Sequence, residues 1–141
     1  MPTASAVPGT TLLKPVNHTL IMIDHQSQMS FATKSIDATR LRNNAALVAK
    51  AAKEFEVATI LTTVAEKSFF GPVFDEIKSV FPDQHVIDRT SMNTWEDPRI
   101  AVEVNRHGKA QDCAGRAMDI GLYCWPGALC PGSRFRGVFH R

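Results

Sequence analysis

Cysteine is scarce in this sequence of 141 residues: there are three, and none precedes Cys113. An odd number crowded into the tail, at spacings that match no common zinc pattern, argues against a disulfide framework and a cysteine-bound metal. A strong charge of one sign is also missing. The net charge is +2 and both signs are spread along the chain, so no basic stripe marks a nucleic-acid or membrane surface, and neither partner is expected. No apolar run approaches the roughly 20 residues a membrane-spanning helix needs, and the N-terminus has no apolar core of signal-peptide length. The expected location is therefore cytoplasmic. What is present is 44% apolar content, enough for one domain with a sizeable core.

The most informative stretch runs from Asn17 to Gln28. Leu20, Ile21, Met22 and Ile23 are an unbroken apolar run, the pattern of a strand covered on both faces in a parallel sheet, and the run stops at Asp24. Ligands of open α/β sheets bind beyond the carboxyl ends of the strands, so an Asp there, followed by His25 and Gln26, points into a site. An Asp that turns the chain or caps a helix fits the spacing equally well. Before this strand, Pro2, Pro8, Gly9 and Pro15 mark residues 1–16 as an irregular arm. After it, residues 27–36 read as a loop in which Met29 and Phe31 are core anchors or substrate wall, the core reading being favoured.

Asp37 is a good N-cap for a helix in which Leu41, Ala45, Val48, Ala49, Ala52 and Phe55 recur at helical spacing. Val57 to Thr63 is β-branched and apolar, a second buried strand ending in hydroxyls that would face the same site as Asp24. Strand, helix, strand predicts a right-handed parallel unit. The loop 64–72 carries Phe69 and Phe70, for a pocket or a subunit contact. A second helix over Val73 to Phe81 is stopped by Pro82, and a third strand over His85 to Arg89 delivers Arg89 to the same sheet edge. Arg89 there pairs with Asp24, or is a surface residue held by Asp88. A third helix, capped by Thr94 with Pro98 in its first turn, buries Ile100, Ala101 and Val104 and ends at Gly108.

Leu20-Ile-Met-Ile-Asp24-His-Gln26, Thr59-Ile-Leu-Thr-Thr63, and Phe81 through Arg89-Thr-Ser-Met-Asn93-Thr-Trp95 together resemble the isochorismatase-like cysteine hydrolases of the YcaC type, over roughly residues 17–111. The resemblance implies a three-layer, doubly wound parallel α/β sheet, here cut to its N-terminal βαβαβα part. It implies a triad of Asp, a basic residue and a nucleophilic Cys acting on small amides or related C–N substrates. Asp24 matches the Asp. Arg89 stands where many members have lysine, and Arg keeps its charge and orients anions rather than moving a proton. Gln26, Phe31 and Asn93 are the candidate substrate contacts. No cofactor and no metal are expected, and a homo-oligomer is the expected assembly.

The match ends after Gln111. Residues 112–141 are rich in Gly, Pro, Arg and Cys and show neither strand nor helix period, so they read as an aberrant tail without the family's fourth strand, turn and cysteine. A one-base shift of the reading frame accounts for the change. With permitted codons, Asp112 onward becomes Ile-Val-Leu-Ala-Gly-Leu-Trp-Thr-Ser-Val-Cys, the Trp forced by Met118-Asp119. The nucleophile's codon then straddles Leu122 and Tyr123, and Cys113, Cys124 and Cys130 inherit no role. Two functions follow for this chain: a cysteine hydrolase inactive for want of its nucleophile segment, or a non-catalytic binding or assembly remnant of the same fold.

Overall fold

Alternating apolar and hydrogen-bonding stretches build a sheet with helices on both faces. The computed structural model describes residues 14–108, together with the backbone of 111–116 and 119–126. Most of the N-terminal arm thus lies outside the described residues, as does the tail beyond 126. The elements are β1 (His18–Ile23), α1 (Met29–Ala32), α2 (Ala38–Glu54), β2 (Ala58–Val64), α3 (Asp75–Val80), β3 (Val86–Arg89), a 3-10 turn at Thr94–Glu96, α4 (Pro98–His107), β4 (Gln111–Arg116) and β5 (Asp119–Pro126).

The strand order is β3-β2-β1-β4-β5. β1 is parallel to β2 on one side and to β4 on the other, β2 is parallel to β3, and β5 alone runs antiparallel, on β4. Burial on both faces explains why β1 and β2 read as continuous apolar runs. Leu20, Met22 and Leu61 pack with Leu41, Ala45, Ala49 and Ala52 of α2 and with Phe74, Ile77 and Val80 around α3. Ile21, Ile23, Ile60 and Ile87 pack on the opposite face with Ile100 of α4. The three layers, the parallel strands and the crossover helices are those expected.

Local chemistry sets the boundaries. Asp37 caps α2, its carboxylate accepting from the N–H groups of Thr39 and Arg40 at 2.9 and 3.2 Å. α4 ends at Gly108 in the left-handed region (φ 57°), as predicted for a glycine that closes a helix. Its start differs from expectation: Asn93 caps the short 3-10 turn, and Asp97 caps α4 with Pro98 in its first turn. Two capping residues four apart make two elements where one was expected. A one-turn helix, α1, interrupts the expected loop and buries Met29 but leaves Phe31 79% exposed, so only the first is a core anchor. Phe55 is 64% exposed because it is the C-cap of α2 and has left the helix's apolar stripe.

The sheet extends beyond the three strands expected. β4 matches β1 row for row, from His18 beside Gln111 to Ile23 beside Arg116, and β5 folds back on β4. Gln-Asp-Cys-Ala-Gly-Arg has no strand period, and none is required to pair: a free parallel edge presents N–H and C=O groups that any extended segment can satisfy.

Candidate active site

The strand order reverses direction at β1: β2 and β3 lie to one side, β4 and β5 to the other. α2 and α4 accordingly cover opposite faces. Doubly wound sheets bind ligands at such a reversal, outside the carboxyl ends of the strands that flank it. Asp24 stands at this point, immediately after β1.

Its backbone is unusual. Asp24 has φ 55°, and Ala65, immediately after β2, has φ 48°. Left-handed backbone is uncommon for residues other than glycine and costs about 1–3 kcal/mol where it is enforced, which makes paired outliers at neighbouring strand ends a functional signal. Both turns are tied down: Asp24 N–H donates to the Thr62 carbonyl at 3.0 Å, and Ala65 N–H to the Arg89 carbonyl at 2.9 Å.

Arg89 reaches Asp24 across β2. One terminal nitrogen of its guanidinium donates to Asp24 Oδ1 in a buried ion pair, with Arg89 0% and Asp24 1% exposed. Strand alternation explains the direction: Ile87 and Arg89 are the buried positions of β3, on the α4 side, whereas Asp88 turns the other way to Thr63 Oγ1 at 3.2 Å and Glu66 N–H at 3.0 Å. The alternative in which Asp88 holds Arg89 is thereby excluded. Arg89 Nε donates to Thr62 Oγ1 at 2.7 Å, and that hydroxyl donates in turn to the Ile87 carbonyl at 2.9 Å. The other terminal nitrogen donates to the carbonyls of Ser91 and Met92 at 2.8 and 3.3 Å. A guanidinium with its donors so fully occupied is fixed in place, and it can hold or orient negative charge but not relay a proton.

The remaining candidates take other positions. Gln26 is fully buried and its amide is committed: Oε1 accepts from Val64 N–H at 2.9 Å, and Nε2 donates to the carbonyls of Val64 and Gly71 at 3.0 and 2.6 Å. It is a strap between the ends of β1 and β2. Asn93 accepts from Trp95 N–H at 3.2 Å and stands two residues beyond Ser91 in the loop that holds Arg89. Phe31, on α1 after β1, is exposed to solvent.

One contributor carries no sequence signal, and a second, His25, was marked by its place after Asp24 but not by its burial. The carbonyls of Ser91 and Met92 are backbone groups that every residue has. His25 is buried with its ring edge-to-face on Phe74 at 6.1 Å, and burial pushes its pKa down from 6.5 to about 4. Its Nδ1 has no hydrogen-bond partner among the described residues, so it is neutral in the folded chain near pH 7. Thr62 was detectable, since a hydroxyl in a buried strand needs a partner.

A cleft of about 530 Å³ lies elsewhere, at the amino-end side of β2 and β3, lined by Thr59, Gln84, His85, Glu103 and His107 among others. The two charges at the switch point are both buried. Among the described residues no cluster of three His, Cys, Asp or Glu side chains is placed to hold a metal ion. No described helix is long and apolar enough to cross a membrane.

No family model matches the chain. The chain is 32% identical over 93 residues to the probable hydrolase YcaC of Escherichia coli strain K12, a match covering 65% of this chain and 45% of that protein. Its structure is similar to the crystal structure of the Escherichia coli YcaC gene product, described as an octameric hydrolase of unknown specificity. The TM-score is 0.72 at 29% identity, covering 78% of this chain and 54% of that one. It is also similar to YcaC from Pseudomonas aeruginosa, solved with hexane-2,5-diol and covalent acrylamide, with TM-score 0.72 at 26% identity and coverage of 78% and 55%. The chain thus spans about half the length of the relatives it matches. The resemblance read from residues 17–111 is borne out: in sequence and in fold, the chain is a homologue of the YcaC-type hydrolases over part of their length.

Proposed function

We propose that the Asp24–Arg89 pair is the acid–base and charge-holding half of a cysteine hydrolase site for small amides or related C–N substrates, and that this chain does not complete the reaction. In the complete site a thiolate attacks the acyl carbon. The carboxyl group at position 24 takes the thiol proton and passes it to the departing amine, and water then cleaves the thioester. Arg89 keeps the carboxylate oriented and steadies negative charge. Asn93 and Phe31, on the loops after β3 and β1, are the substrate contacts at the rim, and Gln26 holds the tip of β1 from beneath.

The observation that carries the inactive reading is the register of the tail. Cys124 stands opposite Cys113, which is beside Leu20, four residues before Asp24 on β1. At about 3.3 Å per residue and 4.8 Å per strand, that is roughly 13 Å along the sheet and 10 Å across it. A general base needs hydrogen-bond reach. β4 also leads into antiparallel β5, so the cysteine has no helix N-terminus to favour thiolate.

The experiment is hydrolysis of a small-amide panel by the chain and by its Cys124→Ser and Asp24→Asn variants. No turnover above the uncatalysed rate is expected from any of the three. Turnover by the parent that Cys124→Ser abolishes would refute the inactive reading, and turnover that survives both substitutions would refute the assigned roles.

A further inference from the structure

Cys113 of β4 and Cys124 of β5 stand directly opposite each other in the antiparallel ladder. Directly opposed residues have Cα atoms about 4.5 or 5.5 Å apart, according to the phase of the ladder. Both values lie within the roughly 4.4–6.8 Å that a disulfide spans. Opposed residues also share one face of the sheet with Cβ atoms about 4.5–5.5 Å apart, so closing the bond draws the two strands together by about 1 Å at this row. Every other direct pair in this ladder joins residues without such chemistry, among them Asp112 with Trp125 and Ala114 with Tyr123.

We propose that Cys113 and Cys124 are a redox clasp, joined reversibly by exchange with a small-molecule disulfide such as glutathione disulfide. One protein thiolate attacks a glutathione sulfur, forming a mixed disulfide and releasing one glutathione thiolate. The second protein thiolate then attacks the protein sulfur of that mixed disulfide and releases the other glutathione. The two protein thiols lose two electrons and two protons, and the small disulfide becomes two thiols.

The clasp acts on the element that borders the candidate active site. β4 fills the place beside β1, with no apolar period of its own to hold it there, and β5 is its outer neighbour. Closing a ring of about a dozen residues removes loop entropy from the open hairpin equivalent to roughly a hundredfold in its opening equilibrium. Oxidation therefore holds β5 on β4 at the Cys113–Cys124 row, and reduction frees it.

The test uses the full chain, incubated with glutathione disulfide and digested with trypsin without reduction. Cleavage after Arg116 separates Cys113 from a peptide carrying both Cys124 and Cys130, so a linked peptide pair reports the clasp and a link inside one peptide reports Cys124–Cys130. In the unfolded chain the shorter Cys124–Cys130 loop closes more easily. The linked pair is expected to dominate in native buffer and the internal link in urea. Cys130→Ser is expected to link as fast as the parent, and Cys124→Ser at least about tenfold more slowly. In the oxidised chain the β4 and β5 amides are expected to exchange about a hundredfold more slowly than in the reduced one. An internal link in native buffer, mixed disulfides without linkage, or equal linkage by Cys124→Ser would each overturn the proposal.

Discussion

Replacing Arg89 by methionine removes a buried charge and keeps most of the side-chain volume, which isolates the electrostatic role of the pair. Asp24, 1% exposed, would keep its carboxylate without the guanidinium that faces it, and Thr62 Oγ1 and the Ser91 carbonyl would lose their donor. Breaking a buried ion pair by removing one partner costs about 3–5 kcal/mol, because the other charge is left uncompensated. Replacing both by apolar residues of similar size is often close to neutral. Arg89→Met and Asp24→Leu should each lower the unfolding free energy by about 4 kcal/mol, while the double variant loses less than either, a coupling of several kcal/mol. Urea unfolding followed by tryptophan fluorescence and circular dichroism measures all four corners of the cycle. Single losses under about 1 kcal/mol that simply add would mean the pair is solvated rather than buried, and the geometry assigned to the switch point would be wrong.

Burial holds His25 down at about 4 against 6.5, so below pH 6.5 the unfolded chain binds a proton the folded chain resists, and stability falls with pH until about 4. The full loss is about 3 kcal/mol, and His25→Phe should flatten the urea midpoint between pH 6.5 and 4; an unchanged slope would remove His25 as its source. Gln26→Ala orphans the backbone of Val64 and the carbonyl of Gly71, at a cost of about 2–4 kcal/mol, and should speed exchange of the Val64 amide while leaving α4 unaffected. Phe31 and Phe69, 79% and 78% exposed, predict self-association in sedimentation velocity. A monodisperse monomer that unfolds cooperatively would contradict it.

The residues that were legible are those whose chemistry is local. Leu20 to Ile23 is a strand by composition, and the change of character at Asp24 marks its end. The Arg89 contact with Asp24 follows once both are placed at the carboxyl ends of parallel strands, because β3 puts Ile87 and Arg89 on one face. Asp37 and Gly108 announce their caps. Gln26 was placed at the right point in the chain, but that its amide is spent on Val64 and Gly71 depends on a loop closing from 45 residues away, which no local pattern encodes. β4 and β5 escape any reading of periodicity, since a free strand edge can pair through its backbone N–H and C=O groups whatever the sequence that lies beside it. Thr94 failed as a helix cap because Asn93 and Asp97, each a stronger capping side chain, flank it.

The central claim is that Asp24 and Arg89 form a buried half-site with no activated cysteine beside it. The direct measurement is the rate at which acrylamide alkylates each cysteine of the reduced chain at pH 6, read by peptide mass, in the parent and in Asp24→Asn. An unactivated thiol, with a pKa of about 8.5, is less than about 1% thiolate at that pH. Slow labelling of Cys113, Cys124 and Cys130 at similar rates, unchanged by Asp24→Asn, is the predicted result. Labelling of Cys124 far faster than the other two, with the preference lost in Asp24→Asn, would show a working nucleophile and contradict the account.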